Sequence, residues 1–295
     1  MSYVTPSNGE NPLGTQRITS LIAKYSLPTI ISGVVSALYN MVDQVFIGWG
    51  VGEVGIAATN VAFPFFTICA ALALLLGNGG ASAVSLALGR GKNEDARKIA
   101  CNSLGMLAIT GIIVGAVCVI FLDPLLRSFG TTDTVLVYAR PYSLIVAFGF
   151  PCHIFSMGAS HIIRADGKPT PAMICTASGA VFNLIADPLF MFGFGMGVEG
   201  VALATTLAQV VSTIFAFYYL LCKPNAVLIK WRYLRLKMDV VRAFSAIGAP
   251  GCVNRLAMAV VQITTNKTMV QCPRMEATSP WLLLAQSQSY RRYFL

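Results

Sequence analysis

Asp43 and Asp187 stand inside uncharged stretches of membrane length, LPTIISGVVSALYNMVDQVFIGWG and PAMICTASGAVFNLIADPLFMFGFG. A carboxylate at that depth is costly, and by default it marks an ion or substrate pathway. Burial disfavours the ionised form, so such a group can take up and release protons near neutral pH. Its oxygens can equally hold a dehydrated Na⁺ if neighbouring side chains add more oxygen. Asn183 lies one helical turn from Asp187 on the same face and could do so. This is the chemistry of an ion-coupled carrier. The competing reading is structural: an intramembrane Asp can cap a helix break, or pair with Asn and Thr to hold helices together.

The elements that must position these groups are helices that cross a bilayer. The chain is 56% hydrophobic and 11% charged, with a mean hydropathy of +0.69; a soluble domain carries roughly 25% charged residues. Apolar runs of crossing length cover 19–48, 54–88, 99–122, 134–163, 171–193, 198–222 and 240–266. The second is too long for one straight crossing, and GNGGAS at 77–82 predicts a bend or a surface end there. The first 17 residues are polar and do not read as a cleavable signal peptide.

The net charge of +9 does not indicate nucleic acid, because the basic residues lie in alternate loops and in the C-terminal tail. Arg17 and Lys24 flank the first span. Arg90, Lys92, Arg97 and Lys98 come after the second, and Arg164 and Lys168 after the fourth. Lys223, Lys230, Arg232, Arg235, Lys237 and Arg242 come after the sixth, whereas the opposite loops hold only Arg127 and Arg140. By the positive-inside rule the N-terminus is cytoplasmic, in a multi-pass protein of the cytoplasmic membrane.

At about 1.5 Å per helical residue, Asp43, Asp187 and Thr205 then fall about 8, 9 and 10 Å below the outer surface. Three polar groups on three helices at one depth predict one site. Asn60 and Tyr142 come out at similar or slightly greater depth, so the six helices could enclose a polar chamber in their outer half. Candidates for its lining are Asn40, Asn60, Tyr142 and Gln209.

Other chemistry is poorly supported. His153 and His161 are eight residues apart, about 80° around a helix axis, which does not suit shared metal ligation. The eight cysteines are scattered without CxxC spacing, and read as packing residues. LGRGKNEDARK lacks the glycine spacing and the Ser or Thr of a phosphate-binding loop, and reads as a solvated turn. Phe63, Phe65, Phe66, Phe148, Phe150 and Phe155 could attract a cation by their ring faces, but more often such residues pack helices or meet lipid. No enzyme motif and no cofactor motif is present in the sequence.

With an offset of 222, Pro28 aligns on Pro250, Asn40 on Gln262 and Gln44 on Asn266. Repeated halves of this kind build many transporters. The second copy begins near residue 240, and the segment after its first helix, KTMVQCPRMEATSPWLLLAQSQSYRRYFL, is polar and basic.

The stretch LPTIISGVVSALYNMVDQVFIGWGVGEVGIAATNVAFP, the hairpin LALGRGKNEDARKIACNSL and the run RADGKPTPAMICTASGAVFNLIADPLFMFGFGMGVEGVALATTLAQ together resemble the multidrug and toxic compound extrusion (MATE) family over residues 15–268. The branch with an Asp in the first helix is the nearer one. The resemblance implies an all-α polytopic membrane protein, here the six-helix N-terminal lobe of a MATE-type transporter plus one helix of the second lobe. It also implies exchange of H⁺ or Na⁺ for small organic cations or drugs, with the coupling ion at Asp43, Asn183, Asp187 and Thr205 and with Tyr142 nearby.

The expected organisation is a cytoplasmic segment at 1–17, the lobe at 18–222, a basic inter-lobe linker at 223–239, one helix at 240–267 and a non-family tail at 268–295. A lone lobe would turn its polar wall to lipid, so this chain is expected to confer no drug resistance by itself and to accumulate poorly unless it associates with another copy. Two rivals remain open at this point: a lipid-linked substrate flippase of related architecture, and a non-transporting fragment. A flippase would favour cationic groove residues, for which Arg255 and Lys267 are the candidates.

Overall fold

The structure is a computed structural model that describes residues 18–222 and 238–271. Seven of its helices are long and apolar enough to cross a membrane. They are α1 (Ile18–Gly50), α2 (Glu53–Gly89), α3 (Asn93–Ile120), α5 (Asp133–Ala165), α6 (Pro169–Gly193), α7 (Gly197–Cys222) and α8 (Met238–Gln271). Between α3 and α5 lies a short helix that the hydropathy pattern did not disclose, α4 (Leu122–Ser128). Helices are the economical solution here, because a spanning segment must satisfy its own backbone polar groups. Segments 1–17, 223–237 and 272–295, which carry the expected N-terminal segment, most of the linker and most of the tail, lie outside the described residues. The last helix begins inside the expected linker and continues into the segment read as tail.

Helix α5 is the post around which the lobe is built, packed against α2, α3, α6 and α7. α1 rests chiefly on α6, and α8 lies along α2. The core between them includes Phe65, Leu107, Val146, Phe150, Ile154, Ile162 and Leu220, with Cys69, Cys118 and Cys175 among its small members. Ile30, Val34, Leu38, Ile112, Ile185 and Ile214 face outward, as lipid contact requires.

The expected bend in α2 takes another form. α2 is helical throughout, and the irregularity is a π-helical turn at Leu74–Asn78. The glycines serve close approach to neighbouring helices. A Cβ on Gly77 would strike the backbone of Gly158 on α5, and one on Gly79 the backbone of Phe244 on α8. A Cβ on Gly80 would strike Ser103 on α3. Small residues let helix backbones touch in a membrane, where lipid gives no hydrophobic drive for association.

Two hairpins close in the same way. After α2, Gly91 adopts φ +72° and donates to Leu88 O at 3.0 Å, while Lys92 donates to Ala87 O at 2.9 Å. After α5, Gly167 at φ +83° donates to Arg164 O at 3.0 Å and Lys168 to Ile163 O at 3.4 Å. This is the Schellman closure, which needs a left-handed residue that glycine adopts without strain. It accounts for the Gly-Lys pairs of RGK and DGK as helix ends. On the opposite side, Arg127 pairs with Asp133 at 3.3 Å and Arg140 with Asp123 at 2.8 Å.

Candidate functional site

The site is built from α6 outward. Asn183 and Asp187 are four residues apart on α6, so their side chains stack on one face. Asn183 Nδ2 donates to Asp187 Oδ1 at 2.9 Å. Directly after Asp187, Pro188 brings no N–H, and the chain passes into a π-helical turn at Leu189–Gly193. The next turn sends α7 back alongside α6, and Asn183 Nδ2 also reaches Thr205 Oγ1 at 3.4 Å. α1 packs on the same helix and brings the carboxyl group of Asp43 beside that of Asp187.

Tyr142 of α5 closes the group from the centre of the lobe, near enough to feel both carboxylates. Asp187, Asn183 and Tyr142 are 1%, 2% and 4% exposed, so the pair is enclosed by protein on the α5–α6 side. The structure thus brings together Asp43, Asn183, Asp187, Thr205 and Tyr142. Reasoning from the sequence missed Tyr39. It sits one turn before Asp43 on α1 and lies close to both carboxylates. Its spacing of four from Asp43 was the available signal.

The other lining candidates are dispersed. Asn40 is exposed and donates to Ser36 O at 2.6 Å in its own helix. Asn60 is exposed on α2, and its carbonyl accepts from Asn266 Nδ2 of α8 at 3.4 Å, which places it on the α2–α8 seam and apart from the carboxylates. Gln209 lies one turn along α7 from Thr205 and is buried.

Phe65, Phe150 and Phe155 are core residues, while Phe63 and Phe148 are exposed. Phe66 packs edge-on against Phe150 and His153. No group of three or more His, Cys, Asp or Glu able to hold a metal gathers among the described residues.

Chemically the cluster is rich in acceptors. Two carboxyl groups held side by side repel one another when both are ionised, so such a pair favours sharing a proton or a cation. Asp43 Oδ1 and Asn183 Oδ1 are buried and have no hydrogen-bond partner among the described residues. Buried polar atoms are seldom left so, and two open oxygens beside a carboxyl pair suit a proton or a small hard cation.

Comparison with known proteins agrees with this architecture. The chain is 25% identical over 242 residues to the multidrug export protein MepA of Staphylococcus saprophyticus, covering 82% of this chain and 54% of that protein. It is 26% identical over 243 residues to MepA of Staphylococcus aureus, with the same coverage. It therefore spans about half the length of the curated relatives it matches. Among solved structures, the MATE multidrug transporter DinF-BH superposes with a TM-score of 0.83 at 34% identity, over 90% of this chain and 60% of that one. An outward-facing MATE transporter of the MOP superfamily superposes with a TM-score of 0.76 at 30% identity, over 81% of this chain and 53% of that one. The family model MatE matches residues 28–189, and with seven membrane-length helices in the fold of these transporters, this all-helical, multi-pass chain belongs to the MatE family.

Proposed function

We propose that this chain forms the first lobe, and the first helix of the second, of a secondary active exporter that expels small organic cations in exchange for H⁺ or Na⁺. The observation that carries the reading is the meeting of Asp43 and Asp187 beside Asn183 and Thr205, with buried oxygens still open to a partner. Relatives named as multidrug exporters support the substrate class.

In this reading the protein lies in the cytoplasmic membrane with its N-terminus inside, so that α1 runs outward and the carboxylates face the outer half. The distribution of basic residues supports that orientation: the turns after α2 and α5 carry Arg90, Lys92, Arg97, Lys98, Arg164 and Lys168, and the connection between α3 and α5 carries Arg127 and Arg140. An inward ion gradient loads the pair from outside. Loading changes its charge and its hydrogen bonds, and the packing of α1 on α6 responds, favouring drug release outward. No array of basic residues lines the site among the described residues, and Arg255 and Lys267 are exposed on α8.

The test uses the full-length exporter in proteoliposomes, driven in turn by a pH gradient and by a Na⁺ gradient. Efflux of a cationic dye under at least one gradient, lost on Asp187→Asn, is the expected result. Dye movement that ignores both gradients would remove the reading.

A further inference from the structure

One basic side chain stands deep in a membrane span and outside the carboxylate site. Arg255 lies near the middle of the span Met238–Thr268 on α8, about 25 Å from one end and about 20 Å from the other. With a hydrocarbon layer about 30 Å thick, that is too deep for the guanidinium to reach the headgroups. An ionised side chain at such a depth faces a watery cavity or a counter-charge, and seldom lipid. Arg255 is exposed and makes no ion pair with any described residue.

Its register places it on the side of α8 that is turned to α2. Gly248, Cys252, Ala259, Gln262 and Asn266 recur at steps of three and four and are buried or half-buried, and Arg255 fills the step between Cys252 and Ala259. The two helices meet on either side of this step. A Cβ on Gly248 would strike the Leu75 carbonyl, and Asn266 Nδ2 donates to Asn60 O at 3.4 Å. These contacts make α8 antiparallel to α2, so Arg255 comes about level with the small residues Ala70 and Ala71. Every residue from Val253 to Met258 is nevertheless exposed, while Cys252 and Ala259 beside them are buried. The seam is closed at two levels and open between them, with Arg255 at the opening.

The far side of α8, with Val253, Ala257, Val260 and Val261, is apolar and exposed, and suits packing by further membrane helices. Arg255 is on the other side, where a helix of the second lobe would have to enter the seam between α2 and α8. An opening at mid-depth between the halves of an exporter is where cargo binds. One guanidinium matches one carboxylate by two parallel N–H···O bonds, whereas a doubly charged phosphate calls for a second cation. No other Lys or Arg stands at this level of α2 or α8. We propose that Arg255 binds a carboxylate on the exported molecule, so that the cargo is an organic cation that also carries an acid group. The proposal rests on reading the chain as part of an exporter, and it separates two tasks: the Asp43–Asp187 pair holds the coupling ion, and Arg255 selects cargo.

The experiment compares two dyes that differ in one group: rhodamine B, which carries a free carboxylate beside its cationic ring system, and its ethyl ester, which carries only the cation. Their Kd values are measured by fluorescence polarisation on the purified full-length exporter, for the parent protein, Arg255→Gln, Arg255→Lys and Asp187→Asn. The parent should favour the free acid. Arg255→Gln should shift the ratio of the two Kd values about tenfold or more against the acid, as loss of a charge-assisted pair does. Arg255→Lys keeps the charge without the fork and should fall between. Asp187→Asn should keep the parent ratio while losing gradient-driven efflux of both dyes in proteoliposomes.

An unchanged ratio in Arg255→Gln overturns the proposal and leaves the exporter reading standing. If both dyes then weaken equally, Arg255 is a counter-charge for a carboxylate of the second lobe. If neither weakens, it touches no cargo. Normal efflux by Asp187→Asn removes the coupling pair, and a tenfold shift in Arg255→Gln would still hold the cargo site. A parent protein that binds neither dye removes the exporter reading and the cargo site together.

Discussion

Ser103 of α3 donates its hydroxyl to the carbonyl of Leu76 at 2.6 Å, inside the π-helical turn of α2. A π turn disturbs the regular ladder of i→i−4 bonds, and a buried carbonyl it loosens needs another donor. Gly80 of α2 faces the same serine without a side chain, so the hydroxyl can come this close. The irregularity of α2, the glycine run and a polar residue on α3 are thus one device. It also explains why α5 and α8 meet α2 at this level, through Gly158 and Gly248.

Ser103→Ala should therefore cost more than the loss of a small side chain. It leaves a buried carbonyl short of a donor, worth about 1–3 kcal/mol. The thermal transition of the detergent-solubilised full-length protein should fall, and Ser103→Thr should restore part of the loss by keeping the hydroxyl. An unchanged transition in Ser103→Ala would mean that the carbonyl finds another partner.

Gly77→Ala places a methyl group against the backbone of Gly158, which no rotamer change can relieve. Overpacking of this kind costs about 1–3 kcal/mol. Gly33→Ala is the control, since nothing lies within 4 Å of its added methyl. The comparison to make is thermal stability of the two variants, and equal stability would refute the close-contact account of the glycine run.

Asp43→Asn and Asp187→Asn should each abolish gradient-driven dye efflux in the full-length protein while leaving it folded. Asn keeps the shape of the side chain but cannot release a proton or carry the charge. Asn183→Leu removes the donor shared by Asp187 and Thr205, and should weaken coupling without abolishing dye binding. Efflux at the parent rate in both Asp variants would return the pair to a structural role.

Labelling of single cysteines in a cysteine-free background tests the orientation. Gly52→Cys and Met196→Cys, in the turns before α2 and α7, should react with an impermeant reagent added outside intact cells. Lys92→Cys and Lys168→Cys, exposed on the opposite side, should react only after permeabilisation. The opposite pattern would invert the topology.

The seven spans and their approximate limits were legible in the sequence, because the length of an apolar run depends on local composition and on the bilayer. The i, i+4 pairing of Asn183 with Asp187 was legible for the same reason, since it is set by helix geometry alone. Tyr39, the α4 helix and the dispersal of Asn40 and Asn60 were not. Which face of a helix turns inward depends on how neighbouring helices pack, and an evenly apolar membrane helix gives little pattern to reveal it. Tertiary structure alone decided that GNGGAS is a contact point for three helices, since only the positions of Gly158, Ser103 and Phe244 show what those glycines make room for. It also decided that Gln209 is buried against Gly149 and that Tyr219 of α7 reaches Asp166 at the end of α5, since those helices are distant in the chain and only their packing brings the side chains together.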